Sequence, residues 1–307
     1  MIPSSCASCG KPLSPRYPAV EDAQTQQRFA VLACVDCGLG HTSPVPDDLS
    51  PFYGPGYYGG RHGVTQRLCL WRRTRMLERF GGRTSNKPRL LDVGCGDGSF
   101  LEAARQRGWE VAGTELNADP ARRRDLLVHA SIAAAGNGYT CVTLWHSLEH
   151  LRDPRAALAG VAGALVPGGT VLVAVPDAEG AQARLFGPRW RHLDVPRHLF
   201  HFGARSLDLL LSLSGFEPFW RGHQELEYDL FGWAQSALNV LPGGHDVLLR
   251  SLSDRERSPA KRFAGLALAG VLGALALPVS TATSLAGSGG ALVVAARRKD
   301  AAGRRAS

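Results

Sequence analysis

The length, composition and charge of the chain favour a folded protein with more than one structural unit. Its 307 residues exceed the size of one small domain, and a hydrophobic content of 44% is sufficient for a sizeable core. Charged residues make up 20% of the chain, which argues against intrinsic disorder. Because the formal net charge is +8 at pH 7, anionic molecules or surfaces are the charged partners to consider.

Two Cys-x-x-Cys-Gly knuckles lie near the N-terminus and supply the residues Cys6, Cys9, Cys34 and Cys37. Each knuckle can place two thiolates on one side of a tight turn, and two knuckles complete a tetrahedral zinc site with Zn–S bonds of ~2.3 Å. The alternative of disulfides or a redox pair lacks a βαβ context. The other cysteines are scattered and no signal peptide is recognisable, so we expect a reducing cytoplasm. We therefore predict a zinc ribbon over residues 1–45 with a structural metal.

Residues 46–85 are predicted to form a tyrosine- and glycine-rich linker followed by a basic helix. The linker contains Tyr53, Tyr57 and Tyr58, which can either close over a ligand or pack on the core. Between residues 61 and 89, nine arginines and lysines face only Glu78. This run is typical of a surface that recognises an anionic substrate, nucleic acid or membrane, and equally of a solvated helix face.

The pattern at residues 90–117 predicts a strand, a glycine turn, a helix and a second strand that ends in an acid. The turn glycines are Gly94, Gly96 and Gly98, where the backbone can adopt positive φ and approach a ligand. Glu115 follows about twenty residues later, where an acid can accept hydrogen bonds from both hydroxyls of a ribose. This unit therefore favours a nucleoside ligand.

The acids beside the turn distinguish between nucleoside ligands. The glycines run G-x-G-x-G rather than G-x-G-x-x-G, and Asp92 and Asp97 would repel a pyrophosphate but suit a ligand with an amino group. These residues resemble motif I of the class I S-adenosylmethionine-dependent methyltransferases. The resemblance implies that the cofactor is held by Asp92, Gly94, Cys95, Gly96, Asp97, Gly98, Glu115, Leu116, Ser131 and His146.

Downstream segments extend this resemblance over residues 86–228, the predicted cofactor-binding core. A strand, an E-H-L-x-D-P element, a helix and L-x-P-G-G follow in order within residues 139–177. The family's usual acid at the entry of that strand is Thr140 here, and Ala130 stands where an acid often contacts adenine. The adenine contacts are therefore less certain than the ribose contacts. The implied fold is α/β, a Rossmann-like seven-stranded sheet with a helical insertion before the last strand.

The insertion is predicted to occupy residues 229–288, before a last strand and basic tail at 289–307. No charge occurs from Phe263 to Ala296, and Phe263 to Leu277 is an apolar segment followed by Pro278. This segment is shorter than the ~20 residues that span a bilayer. We expect a helical cover that packs on the core, lines a substrate site or touches lipid as a peripheral contact.

Histidines at the predicted carboxyl edge of the sheet are the candidate proton acceptors, because their ordinary pKa of about 6.5 permits this near neutrality. The candidates are His198, His146 and His201, with His198 the first choice. Arg197 and His198 can instead orient an anionic substrate. Glu149 and His150 are expected to hold a helix start, since a metal bound by them needs a third ligand that the sequence does not identify.

The sequence therefore predicts an S-adenosylmethionine-dependent methyltransferase with a zinc ribbon. We expect it in the cytoplasm, with peripheral association with a membrane as an option. Its expected partner is a small-molecule or carrier-linked acceptor, and one version of the hypothesis makes this acceptor anionic. The acceptor is expected to be a sugar or lipid-type biosynthetic intermediate that is methylated on oxygen or carbon. One alternative is an RNA methyltransferase. It is disfavoured because the chain lacks an N-P-P-[FY] motif and the basic run is not interleaved with stacking aromatics, so nucleic acid is an unlikely partner. The other alternative is an inactive zinc-containing binding protein.

Overall fold

The computed structural model describes residues 4–22, 24–53, 64–82, 87–122, 124–223, 225–243, 245, 247–252 and 258–299. The strands in chain order are β1 (Leu13–Glu21), β2 (Arg28–Cys34), β3 (Gly40–Ser43), β4 (Arg89–Val93), β5 (Glu110–Thr114), β6 (Val128–His129), β7 (Tyr139–Trp145), β8 (Leu165–Pro176), β9 (Phe200–His201), β10 (Phe216–Gly222) and β11 (Ala291–Arg298). The α-helices are α1 (Val64–Phe80), α2 (Ser99–Arg105), α3 (Asp119–Arg122), α4 (Ile132–Ala135), α5 (Pro154–Ala164), α6 (Ala181–Phe186), α7 (Ala204–Leu213), α8 (Leu226–Asn239), α9 (Val247–Leu252) and α10 (Pro259–Leu285).

The chain forms two units. One, the four-strand unit, comprises Met1–Arg61, Pro176–Leu207 and Gly222–Leu292. The other, the seven-strand unit, comprises His62–Val175, Asp208–Arg221 and Val293–Ser307. Both units draw on several of the five segments expected from the sequence (1–45, 46–85, 86–228, 229–288 and 289–307), and that division stays a prediction.

The seven-strand unit is organised by a sheet with the strand order β10-β11-β8-β7-β4-β5-β6. The neighbours from β8 to β6 pair in parallel, with Asp92 of β4 opposite Thr143 of β7. All seven residues of β7 are buried, as expected for a strand covered on both faces. The core contains Leu90, Phe100 and Trp145. The rings of Phe100 and Trp145 pack edge to face with their centroids 5.7 Å apart. The predicted seven-stranded α/β fold is confirmed.

The four-strand unit has an antiparallel sheet in the order β1-β2-β3-β9. Its apolar core gathers side chains from the sheet, from the 3-10 helix Ser50–Phe52 and from the segment after β8, including Val31, Phe52, Trp190 and Val195. The segment between β10 and β11 contributes α8, α9 and α10, which confirms a helical insertion before the last strand.

Helix α10 is longer than the sequence suggested. The expected apolar segment ended before Pro278, but the helix continues through this proline to Leu285 and has 27 residues. By length and composition it is long and apolar enough to cross a membrane, with a mean hydropathy of 2.0 over an 18-residue window that is 17% buried. Along its length only Gly265 and Ser280 are buried. The helix therefore presents a mainly apolar surface to its surroundings.

Candidate functional site

The glycine turn joins β4 to α2 in the seven-strand unit. Gly94, Gly96 and Gly98 all have left-handed φ angles, of 77°, 56° and 76°. The N–H groups of Gly94 and Cys95 donate to the carbonyl of Thr114 at the end of β5, at 2.8 and 3.0 Å. The turn is thus tied to the neighbouring strand, and a β-carbon built on Gly96 would meet no atom within 4 Å. The backbone at Gly96 is open to a ligand.

Glu115 links the two ends of this motif. Its Oε2 accepts a 2.9 Å hydrogen bond from the N–H of Gly96, and its Oε1 accepts from the N–H of Leu116 at 2.8 Å. A carboxylate has about four lone-pair sites, so it can still accept hydroxyl donors. The side chain of Leu116 is 95% exposed and lies beside this carboxylate in the chain. This arrangement would suit a ribose at the carboxylate of Glu115 and an adenine ring beside the side chain of Leu116.

Asp92 differs from the other acids of the turn. It is 3% exposed and accepts a 2.6 Å hydrogen bond from the hydroxyl of Thr143. Burial raises the pKa of this carboxyl to about 7, although the Thr143 hydrogen bond and Arg73 lower it. Asp92 therefore organises the base of the turn instead of presenting a full charge to a ligand. Sequence reasoning missed Thr143 and Arg73, and the signal for Thr143 was a second threonine hydroxyl within the buried strand β7.

The other predicted cofactor residues have individual surroundings. Burial raises the pKa of the Cys95 thiol, which packs so closely on Gly113 that a β-carbon there would lie 2.6 Å from Sγ. Asp97 accepts from the N–H of Ser99 at 3.0 Å and pairs with Arg124 at 3.3 Å. Ser131 caps α4 by accepting from the N–H of Ala134 at 3.2 Å. Among Cys95, Asp97 and Ser131, only Asp97 places a charged group beside the turn.

Thr140 replaces the acid expected at the entry of β7. Its hydroxyl donates to the carbonyl of Arg89 and accepts from the N–H of the same residue, both at 3.0 Å. The side chain therefore joins β7 to β4 in the sheet. This contact gives Thr140 a structural role.

His146 follows β7 in the same unit as the glycine turn. Its φ angle of 54° is in the left-handed region, and its N–H donates to the carbonyl of Ala174 at 2.9 Å. Nδ1 lies 3.6 Å from Oε1 of the fully buried Glu149. The next residue, Ser147, touches the turn, because a β-carbon on Gly94 would lie 2.8 Å from its Cβ. Of the three candidate histidines, His146 is therefore the one in the same unit as the turn, next to a residue that touches it.

His198 belongs to the four-strand unit. Its Nδ1 lies 2.9 Å from the carbonyl oxygen of His192, and its Nε2 lies 4.0 Å from Asp194. Arg197 pairs with Asp194 at 2.7 Å and with Asp22 at 3.0 Å. Burial by itself raises the pKa of Asp194, but Arg197 and Arg191 hold it well below its usual range. The suggested Arg197 contact with an anionic substrate therefore competes with two internal carboxylates.

His201 lies in β9 of the same unit. Its Nε2 is 3.0 Å from the hydroxyl of Thr42, and that hydroxyl donates to the carbonyl of His198 at 2.6 Å. Burial lowers the pKa of His201 to about 3, with further lowering by Arg16. These surroundings favour a neutral histidine that packs the sheet. Its role as a general base stays a prediction.

The four N-terminal cysteines converge. Their sulfurs all lie within 4.8 Å of one another, and three pairs are 3.4, 3.6 and 3.7 Å apart. A tetrahedral zinc site with ~2.3 Å bonds places its sulfurs ~3.8 Å apart, close to these distances. Burial raises the pKa of Cys34, but the N–H groups of Cys37 and Asp36 lower it to about 7 overall. The predicted four-cysteine site therefore fits a closed, structural zinc ion.

Comparison with known proteins shows the family. A family model described as "Methyltransferase domain" matches residues 61–219. A ubiquinone biosynthesis O-methyltransferase of Cronobacter sakazakii is 34% identical over 110 residues, 31% of this chain and 44% of that protein. One of Escherichia coli O157:H7 is 28% identical over 135 residues, 39% of this chain and 55% of that protein. The chain thus spans about half the length of the curated relatives it matches.

Two solved structures share the fold. The (4+2)-cyclase SpnF has a TM-score of 0.50 and 21% identity, covering 82% of this chain and 92% of that one. A phosphoethanolamine N-methyltransferase 2 of Haemonchus contortus has a TM-score of 0.52 and 15% identity, covering 98% and 71%. These likenesses concern the fold alone. The family resemblance expected from residues 86–228 is confirmed, and because the family model matches more than half of its length, the chain belongs to the methyltransferase-domain family.

Proposed function

We propose that this protein transfers a methyl group from S-adenosylmethionine to a hydroxyl of a small-molecule acceptor. The observation that carries the proposal is the hydrogen bond from Gly96 to Glu115, which holds a glycine turn and an acid in one site. In a chain of the methyltransferase-domain family, this pair suits the ribose and the methionine portion of that cofactor. The methyl donor supplies its own leaving group, so the protein has mainly to align the acceptor.

Each residue of the site has a proposed role toward the cofactor. Glu115 accepts hydrogen bonds from the ribose hydroxyls, and the exposed Leu116 flanks the adenine. The backbone from Gly94 to Gly98 approaches the methionine portion, with the carboxylate of Asp97 near its amino group. In the transfer itself the bond from sulfur to the methyl carbon breaks, and a new bond forms to the acceptor oxygen. The hydroxyl proton of the acceptor passes to the imidazole of His146, which acts as the general base.

Oxygen is the proposed acceptor atom because the relatives are named as O-methyltransferases of ubiquinone biosynthesis. The two alternatives, an RNA methyltransferase and an inactive zinc-containing binding protein, are not favoured by these comparisons. We propose that the zinc-loaded cysteine cluster stabilises the four-strand unit without contributing to catalysis.

We propose further that α10 lies on a membrane surface. The most exposed of its large apolar side chains include Phe263 (76%), Val271 (59%) and Leu275 (69%), and Lys261 and Arg262 precede them at the start of the helix. An apolar helix with cations at one end suits the boundary of an anionic bilayer. This position would give the enzyme access to an acceptor that partitions into lipid.

An anionic acceptor has weaker support. In the basic helix α1, the guanidinium groups of Arg73, Arg75 and Arg79 lie over the rings of Trp145, Trp71 and Phe80, respectively. Cation–π contacts of this kind give these arginines a packing role. A charge on the acceptor is therefore not required by the proposal.

An activity screen tests the proposed reaction. The protein is incubated with S-adenosylmethionine and separate pools of phenolic, sugar and lipid-extractable alcohols, and S-adenosylhomocysteine formation is measured. Deleting residues 240–285 and rejoining the flanking segments is expected to preserve cofactor binding and abolish turnover of the acceptor identified. Full activity of the shortened protein would contradict a role of α10 in acceptor access.

A further inference from the structure

His146 and Glu149 form a histidine–carboxylate pair directly after β7 in the seven-strand unit. His146 is the first residue after the strand, and Glu149 lies in the short 3-10 helix Leu148–His150. Nδ1 of the imidazole lies 3.6 Å from Oε1 of the carboxylate. The two side chains therefore face each other although they are three residues apart in the chain.

The two side chains differ in their access to a ligand. The side chain of His146 is 12% exposed, whereas that of Glu149 is 0% exposed. A group that takes a proton from a ligand has to reach that ligand within hydrogen-bond distance. Of the pair, only His146 meets this condition, and Glu149 can act on a ligand only through His146.

The carboxylate of Glu149 is buried without hydrogen bonds. Neither of its oxygens has a hydrogen-bond partner among the residues that the structure describes. Burying an ionised carboxylate costs several kcal/mol unless a counter-charge or hydrogen bonds compensate. A positive charge that forms on His146 would provide this compensation. The buried carboxylate is therefore placed where a protonated imidazole is stabilised.

The distance within the pair is longer than a hydrogen bond but close to one. A shift of roughly 0.5–1 Å would bring the 3.6 Å separation into the ordinary range for a nitrogen donor and an oxygen acceptor. Catalytic hydrogen bonds are often long without ligands and shorten when the reacting complex forms. The observed geometry is thus compatible with a pair that closes during the reaction.

The backbone fixes the position of His146. It is one of four residues other than glycine with positive φ in the described part of the chain, and its N–H donates to the carbonyl of Ala174. A left-handed conformation at such a residue costs about 1–2 kcal/mol. Strain of this kind persists where the surrounding structure over-determines it, often at functional sites. The strained turn places the imidazole next to Glu149.

We propose that Glu149 is the positioning residue of His146. Its carboxylate accepts a hydrogen bond from Nδ1–H, which leaves the proton-accepting lone pair on Nε2, and it stabilises the imidazolium that results. This inference rests on the proposed methyl transfer with His146 as the general base. The acceptor proton moves to Nε2, the acceptor oxygen bonds to the methyl carbon, and the carbon–sulfur electron pair stays on sulfur. Because positive charge develops on the imidazole during this step, Glu149 stabilises the transition state more than the ground state.

Nuclear magnetic resonance of the histidine side chains tests the proposal on the zinc-loaded full chain. The protein is labelled with nitrogen-15 histidine, and the His146 signals are identified by their absence in His146→Gln. In the wild type, the neutral imidazole is expected to carry its proton on Nδ1. In the isosteric Glu149→Gln, the titration midpoint of His146 should fall by about one pH unit or more, since a nearby carboxylate favours the charged imidazole.

Glu110→Gln is the matched control. Glu110 is an exposed carboxylate at the start of β5, and its loss should leave the midpoint unchanged. Other charged side chains of this unit, such as Arg73 and Asp92, are present in every sample, so a difference between samples reports the exchanged residue. A purely structural Glu149 would leave both the tautomer and the midpoint independent of its charge.

Three results would overturn the proposal. These are a neutral His146 protonated on Nε2 in the wild type, an unchanged midpoint in Glu149→Gln, and an equal fall in Glu110→Gln. The wild-type tautomer decides by itself if Glu149→Gln does not fold. Calorimetry with S-adenosylmethionine on the same samples separates this inference from the proposed function. Cofactor binding with a midpoint independent of Glu149 defeats only the positioning role, whereas absence of cofactor binding in the wild type defeats the proposed function.

Discussion

The hydroxyl of Thr143 donates a 2.6 Å hydrogen bond to the buried carboxylate of Asp92, across the parallel pairing of β7 with β4. This contact lies directly beneath the glycine turn, because Asp92 is two residues before Gly94. It keeps one of the motif's acids inside the sheet, at a carboxyl whose pKa is raised to about 7 by burial. Charge on the ligand side of the turn therefore comes from Asp97 and Glu115.

The raised pKa predicts a pH dependence of stability. The folded protein binds the Asp92 proton up to about pH 7, whereas the unfolded chain releases it near the ordinary aspartate pKa of 3.8. The stabilising contribution of this proton is complete below pH 3.8 and is lost as the pH rises through about 7. Asp92→Asn should remove a slope of about 1.4 kcal/mol per pH unit from the free energy of unfolding in this window.

Urea unfolding between pH 4 and pH 8 measures this slope. Asp119→Asn, at an exposed aspartate of α3, is the matched control and should keep the wild-type slope. If the free energy of unfolding depends on pH in the same way in the wild type and in Asp92→Asn, Asp92 has the same pKa in the folded and unfolded states, and the prediction is wrong.

Alanine substitutions at two glycines with left-handed φ, Gly98 and Gly108, distinguish the cost of backbone strain from the cost of steric crowding. A β-carbon at Gly98 would lie 2.4 Å from Leu126 Cδ1 and 3.1 Å from Ala121 Cβ, whereas one at Gly108 would meet nothing within 4 Å. Both alanine variants should lose about 1–2 kcal/mol through φ alone. Gly98→Ala should lose roughly 1–3 kcal/mol more, because the core must shift. Equal losses in the free energy of unfolding would show that the contacts of Gly98 are readily relieved.

The cysteine cluster predicts one equivalent of zinc per chain. Cys34→Ser removes one of four thiolates and should reduce the zinc content and loosen the four-strand unit, since structural zinc binding is linked to folding. Cys69→Ser, a buried cysteine of α1 outside the cluster, should retain the metal. Elemental analysis measures both, and hydrogen exchange reports local opening. A metal-free wild type with a well-protected N-terminal sheet would contradict the zinc ribbon.

Short sequence patterns predicted the elements that form from neighbouring residues, such as a buried strand and the glycine turn. The strand Tyr139–Trp145 lies at the start of residues 139–177, where the sequence predicts a strand, and Glu115 lies beside the glycine turn as its spacing indicated. The burial of Asp92 depends on its register with Thr143, which belongs to a strand about fifty residues away in the chain. A proline ordinarily ends a helix, so the continuation of α10 through Pro278 was not expected. Pairing across long sequence separations was the information that the sequence lacked.

Calorimetric titration with S-adenosylmethionine tests the central claim most directly, with Glu115→Ala and Glu110→Ala compared in the same experiment. Glu110 begins β5 and Glu115 directly follows its last residue, and Glu110 is an exposed partner of Arg89 at 3.1 Å. Wild type and Glu110→Ala should bind one cofactor per chain with similar affinity, and Glu115→Ala should bind more weakly by about 1.5–3 kcal/mol, the scale of hydrogen bonds to a charged group. Absence of binding to the wild type, or equal affinity in all three proteins, would contradict the assignment of the site.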